Sequence, residues 1–285
     1  MENVLCDIKV INAIRNKYGF SFSKSLGQNF LIDPEIPREI VRQSEIDKNT
    51  GVIEIGPGFG PLTYELCSAA GRVVAVEIDK SLIPVLDDTV GHFENLKVIN
   101  ADFLKIDAAS LIEEEFTSRG IDRVVVCANL PYYITTPIIM GLLEKKLPLE
   151  RITVMVQKEV AERLCADKPS RDMGAVTLAV QYRAKTEILF PVGKEKFMPV
   201  PKVDSAVISL IPLEQPPVQA KNEKFMFTLI KAAYSQRRKT LVNAVAGVCS
   251  KENTASALRG LGLSADIRAE RMSLEDFCNL SNILK

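Results

Sequence analysis

The stretch Val52-Ile53-Glu54-Ile55-Gly56-Pro57-Gly58-Phe59-Gly60 decides the fold. A largely β-branched run ends in three glycines at alternate positions, and Leu62-Thr63-Tyr64-Glu65-Leu66 follows with a helical pattern. Glycine lets the backbone turn sharply and approach a ligand without a Cβ in the way. A strand, a glycine turn and a helix in this order are typical of the nucleotide-binding end of an α/β sheet.

The acids around this turn indicate which kind of nucleotide binds. Glu77 ends the next predicted strand, about 20 residues past the first glycine, where a carboxylate can bind ribose hydroxyls. A nicotinamide-dinucleotide pattern would need glycine where Pro61 stands, and a pyrophosphate would disfavour an adjacent acid such as Glu54. The G-x-G-x-G spacing after Glu54 instead suits a nucleoside with a cationic amino-acid tail, which describes S-adenosylmethionine.

After a third predicted strand, Asp102 could accept from an adenine amine and Phe103 could cover the ring, although one such acid alone is typical of a solvated strand end.

A second motif, Asn129-Leu130-Pro131-Tyr132, follows the apolar run Val124-Val125-Val126-Cys127-Ala128, which predicts a short buried strand. The motif therefore leaves the carboxyl end of a strand, where open α/β sheets bind ligands. The Asn129 amide oxygen and the Leu130 carbonyl are acceptors, Pro131 stiffens the loop, and Tyr132 adds a flat aromatic face. This set suits an adenine whose exocyclic amine carries two hydrogens. Taken alone, the motif is equally compatible with an ordinary proline-containing turn.

Together these motifs resemble those of the ribosomal RNA adenine dimethyltransferases, specifically the small-subunit branch (the kasugamycin-resistance methyltransferases). The resemblance runs from about Tyr18 to the C-terminus and is also carried by Lys24–Leu31, Gln157–Arg163, Phe197–Ala206 and Gln236–Leu241. Leu26, where many members carry Phe, and Tyr133, where many carry Asn, depart from the common pattern without bearing on the reaction.

The resemblance implies an enzyme that transfers methyl groups from S-adenosylmethionine to N6 of two adjacent adenosines, dimethylating each. These adenosines lie in a hairpin loop near the 3′ end of 16S rRNA in the small ribosomal subunit, and a role in subunit biogenesis is implied as well. The expected cofactor-binding residues are Asn29, Leu31, Gly56, Gly58, Glu77, Asp102 and Asn129. The expected catalytic residues are Asn129, Leu130, Pro131, Tyr132 and Phe197, the last as a second aromatic face for the target base.

Composition is compatible with this interpretation. The chain has 285 residues and 47% hydrophobic content, enough for one large core and a smaller module. No apolar run approaches the ~20 residues that span a bilayer, and no signal peptide is recognisable, so we expect a cytoplasmic protein without a membrane partner. We also expect a monomer. Six cysteines without a C-x-x-C pair and a single histidine, His92, predict neither a disulfide framework nor a metal site nor a histidine-based triad.

Charge is segregated along the chain although the net charge is formally zero. Residues 33–122 contain 18 acidic and 8 basic residues, a balance of 8 − 18 = −10, whereas residues 183–239 contain 11 basic and 5 acidic residues, a balance of 11 − 5 = +6. A further basic stretch at the N-terminus contains Lys9, Arg15, Lys17 and Lys24. Each charge by itself indicates a solvated face. Together, positive segments that flank an acidic nucleoside pocket favour an RNA partner.

The order of elements predicts an α/β fold, a Rossmann-like methyltransferase sheet followed by a small all-helical domain. Helices near 7–18 and from Pro34 precede strands near 51–55, 72–77, 96–99, 123–128 and 151–156, and the alternation of strand and helix implies a mostly parallel sheet covered on both faces. Residues 190–211 predict a closing, hairpin-like pair of strands. We place a catalytic, S-adenosylmethionine-binding domain at 1–214 and a helical, rRNA-contacting domain at 215–285. In the second domain, Gln236–Lys239 is predicted to begin a helix with three cations facing phosphate.

Three alternatives share parts of this pattern. A sister enzyme for large-subunit RNA has both core motifs, and residues 197–206 and 236–241 favour the small-subunit member over it. An adenine-N6 DNA methyltransferase would carry Pro where Leu130 stands, together with an inserted target-recognition region. A non-catalytic RNA-binding assembly factor or a transcription-factor relative would keep the fold. The complete cofactor set argues against that last alternative, although an assembly role can coexist with catalysis.

Overall fold

The structure is a computed structural model that describes residues 3–19 and 28–285. It divides into two compact units, one of Met1–Ala161 with Glu187–Pro212 and one of Glu162–Thr186 with Leu213–Lys285. We call them the sheet unit and the helical unit. The helical unit is larger than residues 215–285, because Leu178 on the helix at 175–181 and Tyr182 directly after it are buried in the same core as Met226 and Leu229.

The strands β1 to β9 lie at Phe30–Leu31, Thr50–Ile55, Arg72–Glu77, Leu96–Asn100, Arg123–Asn129, Arg151–Gln157, Ala184–Val192, Phe197–Met198 and Ser205–Pro212. The helices α1 to α12 lie at Ile8–Tyr18, Glu35–Gln43, Pro61–Ala69, Ile83–Val90, Ala108–Glu115, Thr135–Glu144, Lys158–Leu164, Ala175–Gln181, Glu223–Ser235, Leu241–Ala244, Lys251–Gly260 and Leu274–Leu284. In the described part of the chain, no helix is both long and apolar enough to cross a membrane.

The main sheet has seven strands in the order β4-β3-β2-β5-β6-β9-β7. Strands β2 to β6 pair in parallel, and β9 pairs antiparallel with β6. Every residue of β2 is buried, as expected for a parallel strand covered on both faces. The strand order changes direction between β2 and β5, and open α/β sheets bind ligands at such a point. The predicted Rossmann-like sheet is therefore confirmed.

The segment between β7 and β9 differs in one respect from the expected hairpin-like pair. Strands β7 and β9 are neighbours in the sheet, but Phe197 and Met198 between them form β8, which pairs antiparallel with β1 in a separate two-stranded sheet. The register places Leu31 opposite Phe197. This small sheet attaches the residues that precede β2 to the segment that precedes β9.

Two clusters of buried residues contribute to the core of the sheet unit. The first surrounds Val52, Leu66 and Val125, and the second joins α1 and α4 through Ile11, Phe59 and other residues. His92 is exposed beside Phe93, with ring centroids 4.3 Å apart. All six cysteines are free thiols.

The helical unit has its own apolar core, in which Leu229, Leu258 and Phe277 are fully buried. Helix α9 begins after Asn222, whose Oδ1 accepts from the Phe225 backbone N–H at 2.8 Å. The prediction that Gln236–Lys239 begins a helix is wrong, because α9 ends at Ser235 and these four residues form the turn before α10. The Lys239 N–H donates to the Gln236 carbonyl at 2.8 Å and closes that turn.

Candidate active site

A cavity opens at the carboxyl ends of the parallel strands, at the point where the strand order changes direction. Its wall contains every residue that the sequence proposed for cofactor binding: Asn29, Leu31, Gly56, Gly58, Glu77, Asp102 and Asn129. It also contains Leu130, Pro131 and Tyr132. Parallel strands carry Glu77 and Asn129 to one edge of the sheet although they lie 52 positions apart in the chain, whereas Leu31 belongs to β1 of the two-stranded sheet.

The glycine turn between β2 and α3 forms one wall of the cavity. Gly56 and Gly58 have φ angles of +71° and +62°, a region that disfavours other residues. A Cβ on Gly58 would lie 2.7 Å from Cε1 of the Phe30 ring, so this position excludes a side chain for a second reason. The turn therefore presents bare backbone to the cavity.

Glu77, the last residue of β3, is held by main-chain donors. Its Oε2 accepts from the Gly58 N–H at 3.1 Å and its Oε1 accepts from the Asp79 N–H at 2.8 Å. Burial raises the pKa of this carboxyl, and the two backbone hydrogen bonds act in the opposite direction by stabilising the charged form. A carboxylate oxygen can accept more than one hydrogen bond, so the fixed Glu77 keeps capacity for the hydroxyls of a ribose.

Glu54 is the least compensated acid in the cavity wall. Only 1% of the residue is exposed, and among the described residues its Oε2 has no hydrogen-bond partner. Burial raises the pKa of Glu54 to about 8; the nearby Thr63 hydroxyl acts in the opposite direction, and the nearby Glu77 charge adds to the increase. An unpaired buried carboxyl is costly unless a ligand compensates it, so this atom fits a cationic group such as the ammonium of an amino-acid tail.

The loop after β5 holds the polar groups that would face an adenine. The Asn129 Nδ2 donates to the Asn29 carbonyl at 3.2 Å, which orients the amide and makes Oδ1 its remaining acceptor. The Leu130 N–H donates to the Met155 carbonyl of β6 at 3.3 Å and fixes the peptide plane between Asn129 and Leu130. Two consecutive residues of the cavity wall, Asn129 and Leu130, thus provide one side-chain acceptor, Oδ1, and one main-chain carbonyl acceptor.

Tyr132 completes this loop. Its hydroxyl lies 2.8 Å from the hydroxyl of Ser205, the first residue of β9. Burial raises the pKa of Tyr132, which keeps the phenol neutral. The neighbouring Tyr133 is 56% exposed at the rim of the cavity.

Phe197 is the one proposed catalytic residue that the structure does not bring to the cavity. Its side chain is 1% exposed and packs in the core with Val192 and Val207. Pairing of β8 with β1 holds Phe197 opposite Leu31, so it supports a cavity residue instead of lining the wall. Its role as a second face for the target base stays a prediction from the family resemblance. Lys24–Gly27, at the start of another of the family's segments, lies outside the described residues.

Some residues of the site were not expected from the sequence. Ile78 and Leu104 line the cavity although they are 52% and 46% exposed. Ile78 directly follows Glu77 and Leu104 directly follows Phe103, both of which were expected at the site, and an apolar residue in such a place is a signal that could have identified them. Ser205 carried no comparable signal, because its contact with Tyr132 joins positions 73 residues apart. Within the described ranges, no group of three or more His, Cys, Asp or Glu residues is placed to hold a metal ion.

Solved structures identify the class of protein that this fold and cavity define. The chain is similar to the 23S rRNA methyltransferase ErmE, with a TM-score of 0.70, 24% identity, and coverage of 90% of this chain and 99% of that one. It is also similar to a dimethyladenosine transferase from Plasmodium falciparum, with a TM-score of 0.72, 26% identity, and coverage of 88% and 95%. The fold is that of the S-adenosylmethionine-dependent RNA methyltransferases.

The family model described as "Ribosomal RNA adenine dimethylase" matches residues 19–285, and the chain belongs to that family. A relative named ribosomal RNA small subunit methyltransferase A, from Geobacillus sp. (strain WCH70), is 47% identical over 277 residues, which are 95% of this chain and 94% of that protein. A protein of the same name from Lachnoclostridium phytofermentans is 47% identical over 285 residues, 98% and 97% of the two chains. The chain is thus an S-adenosylmethionine-dependent adenine dimethyltransferase, and the resemblance seen in the sequence is confirmed.

Proposed function

We propose that the protein transfers methyl groups from S-adenosylmethionine to N6 of two adjacent adenosines, dimethylating each, in a hairpin loop near the 3′ end of 16S rRNA. The substrate is the small ribosomal particle, and the enzyme acts as a cytoplasmic monomer during subunit biogenesis. Relatives that share 47% of their residues over almost the whole chain carry the name of a small-subunit RNA methyltransferase. The observation that carries the proposal is the oriented amide of Asn129 in the wall of a cavity where one buried carboxyl oxygen, Glu54 Oε2, has no hydrogen-bond partner among the described residues.

The residues of the cavity fit S-adenosylmethionine. Glu77 would bind the ribose hydroxyls, Glu54 the ammonium group and Asp102 the adenine amine, while Gly56 and Gly58 let the main chain approach. The unpartnered Oε2 of Glu54 is the structural sign of this fit, because it needs a cation or a proton. When bound, the cofactor supplies an electrophilic methyl group on a sulfonium centre.

The chain's own residues activate and orient the acceptor amine. The lone pair of an adenine amine is delocalised into the ring, so N6 is a poor nucleophile. Asn129 Oδ1 and the Leu130 carbonyl would accept the two N6 hydrogens, which favours a tetrahedral nitrogen whose lone pair faces the methyl group. Tyr132 offers its ring to a base that has left its stack.

No basic side chain is needed in this scheme. N6 loses one proton for each methyl group it gains, and the proton can pass to water after transfer. Tyr132 does not take that proton as a phenolate, because its raised pKa keeps it neutral and its hydroxyl contacts Ser205. Catalysis is therefore orientational and electrostatic, without a covalent enzyme intermediate.

The test is methylation of small ribosomal particles that lack the modification, with labelled S-adenosylmethionine. We expect label in 16S rRNA alone, at two neighbouring adenosines, each ending as the dimethylated base. Large ribosomal particles serve as the matched control and should stay unlabelled. Label in large-subunit RNA, or in single adenosines scattered through 16S rRNA, would contradict the proposed substrate.

A further inference from the structure

Ser205 is a buried hydroxyl at the edge of the proposed active site. It is 0% exposed, begins β9, and pairs with Gln157 at the carboxyl end of β6. Its Oγ lies 2.8 Å from the hydroxyl of Tyr132. The contact joins two elements that do not follow each other in the chain, the loop after β5 and the start of β9.

We propose that Ser205 is a positioning residue that fixes the ring of Tyr132 against the target adenine, and this inference rests on the proposed function. Main-chain hydrogen bonds already hold the loop on either side of Tyr132. Before it, the Leu130 N–H donates to the Met155 carbonyl, and after it, the Ile134 N–H donates back to the Pro131 carbonyl at 3.1 Å. These bonds fix the backbone but leave the tyrosine side chain free to rotate. A hydrogen bond at the tip of the ring removes that freedom.

The plane of this ring matters for a reaction that depends on orientation. A target base stacked on Tyr132 takes its tilt from the ring, and the tilt decides whether N6 meets Asn129 Oδ1 and the Leu130 carbonyl together. A displacement of 1 Å in such a site can lower the rate by on the order of 10²-fold. The second methylation is the more sensitive step, because the singly methylated amine has only one hydrogen left to hold it in place.

The alternative role for this pair is simple packing at the start of β9, and Ser209 offers a matched control for it. Ser209 lies four residues further along β9, is 2% exposed, and accepts from Arg151 Nη1 at 3.4 Å. It does not line the cavity. Removing its hydroxyl reproduces the packing loss without touching the tyrosine.

The experiment compares Ser205→Ala, Tyr132→Phe, their double mutant and Ser209→Ala, at saturating cofactor and saturating small particles. We expect each single change at the pair to lower kcat by roughly 10-fold to 100-fold. The double mutant should be no slower than the slower single mutant, since both changes remove the same hydrogen bond. Products should shift toward monomethyladenosine. Cofactor affinity should not change, and Ser209→Ala should match the unmodified protein.

Three results would overturn the inference: a wild-type kcat in Ser205→Ala, additive losses in the double mutant, or an equal loss in Ser209→Ala. Tyr132→Phe keeps the ring and leaves Ser205 unchanged, so it remains informative if Ser205→Ala proves unstable. Failure of the proposed function gives a different pattern. In that case the unmodified protein would not dimethylate 16S rRNA, whatever the state of Ser205.

Discussion

The cavity in the sheet unit and the turn 236–239 in the helical unit both carry charged side chains, but the surroundings of those side chains differ. In the cavity, Glu54 and Glu77 are buried, and Glu77 is fixed by main-chain N–H groups. In the turn, Arg237, Arg238 and Lys239 are all exposed, but Arg237 donates to the carbonyls of Arg171 and, at 2.8 Å, of Met173. Residues distant in sequence line one cavity in the first region, whereas in the second Arg237, one of three consecutive cations, donates to main-chain carbonyls.

The difference arises from what the backbone imposes on the side chains. Parallel strands end at one edge of the sheet, so Glu77 and Asn129 reach one cavity although 52 positions separate them. A turn sends consecutive side chains in different directions, so three adjacent cations need not face one partner. The sequence can therefore predict that residues at the ends of parallel strands meet in one cavity. It cannot predict that residues next to each other in a turn contact the same partner.

The largest effect should follow from a change at Asn129. Asn129→Ala removes one aligned acceptor of the cavity and should lower kcat by on the order of 10²–10³ at saturating S-adenosylmethionine. RNA affinity should change far less. Single-turnover methylation of small particles measures the first quantity, and filter binding measures the second.

Asn95→Ala is the matched control for that change. Asn95 precedes β4, at the opposite end of the strands, and donates to the carbonyls of Cys67 and Ala70 at 2.9 and 3.0 Å. Its loss should lower thermal stability and leave kcat unchanged. Equal kcat losses in the two variants would mean that the cavity has no special role.

Glu77→Ala should have the next largest effect, on cofactor binding. Hydrogen bonds to a charged group are worth about 1.5–3 kcal/mol, which corresponds to roughly 10-fold to 150-fold in the dissociation constant of S-adenosylmethionine. Titration calorimetry measures this constant. An unchanged value would remove Glu77 from the cofactor site and reopen the question of which nucleotide the cavity binds.

The raised pKa of the buried Glu54 predicts that the affinity for S-adenosylmethionine depends on pH, which an exposed carboxylate with an ordinary pKa would not cause near pH 7. Its pKa is raised from 4.5 to about 8, so the carboxyl is protonated in the free protein at pH 7 and must ionise to bind an ammonium group. Affinity for S-adenosylmethionine should therefore rise with pH up to about 8, by up to about tenfold per pH unit. Glu54→Gln should weaken binding above pH 8 and remove this slope. Calorimetry between pH 6 and about 9 tests both statements.

The stability of the free protein should change with pH in the opposite direction. A carboxyl whose folded pKa lies above its unfolded value binds more protons in the native state between those two values. The free energy of unfolding should therefore fall as pH rises from 4.5 to about 8, and level off above that range. Thermal unfolding of Glu54→Gln should lack this decline. A parallel decline in both proteins would place its cause at another group.

The sequence predicted most of the sheet and most of the cavity for one physical reason. Near-continuous apolar runs such as Val124–Ala128 are specific to buried strands, and the residue after each run reaches the ligand edge. Strand β8 could not be predicted, because two residues carry no periodicity and the pairing with β1 depends on tertiary contacts. The same contacts bury Phe197, whose aromatic character alone could not distinguish a stacking face from core packing.

The smallest effects concern the turn 236–239, and they separate its members. Arg237→Gln removes two hydrogen bonds to carbonyls and should lower the free energy of unfolding by about 1–2 kcal/mol, with little change in the salt dependence of RNA binding.

Replacing Arg238 and Lys239 by Gln should leave stability unchanged. If both contact phosphate, their loss should flatten the salt slope of RNA binding by about 1.5 units, because each contact contributes about 0.7 to 0.9. Each variant is the control for the other in thermal unfolding and in binding titrations over a range of salt concentrations. A flattening of about 0.7 to 0.9 units in Arg237→Gln, half of that in the double variant, would show that the three cations act as one surface after all, and the contrast between the cavity and the turn would no longer hold.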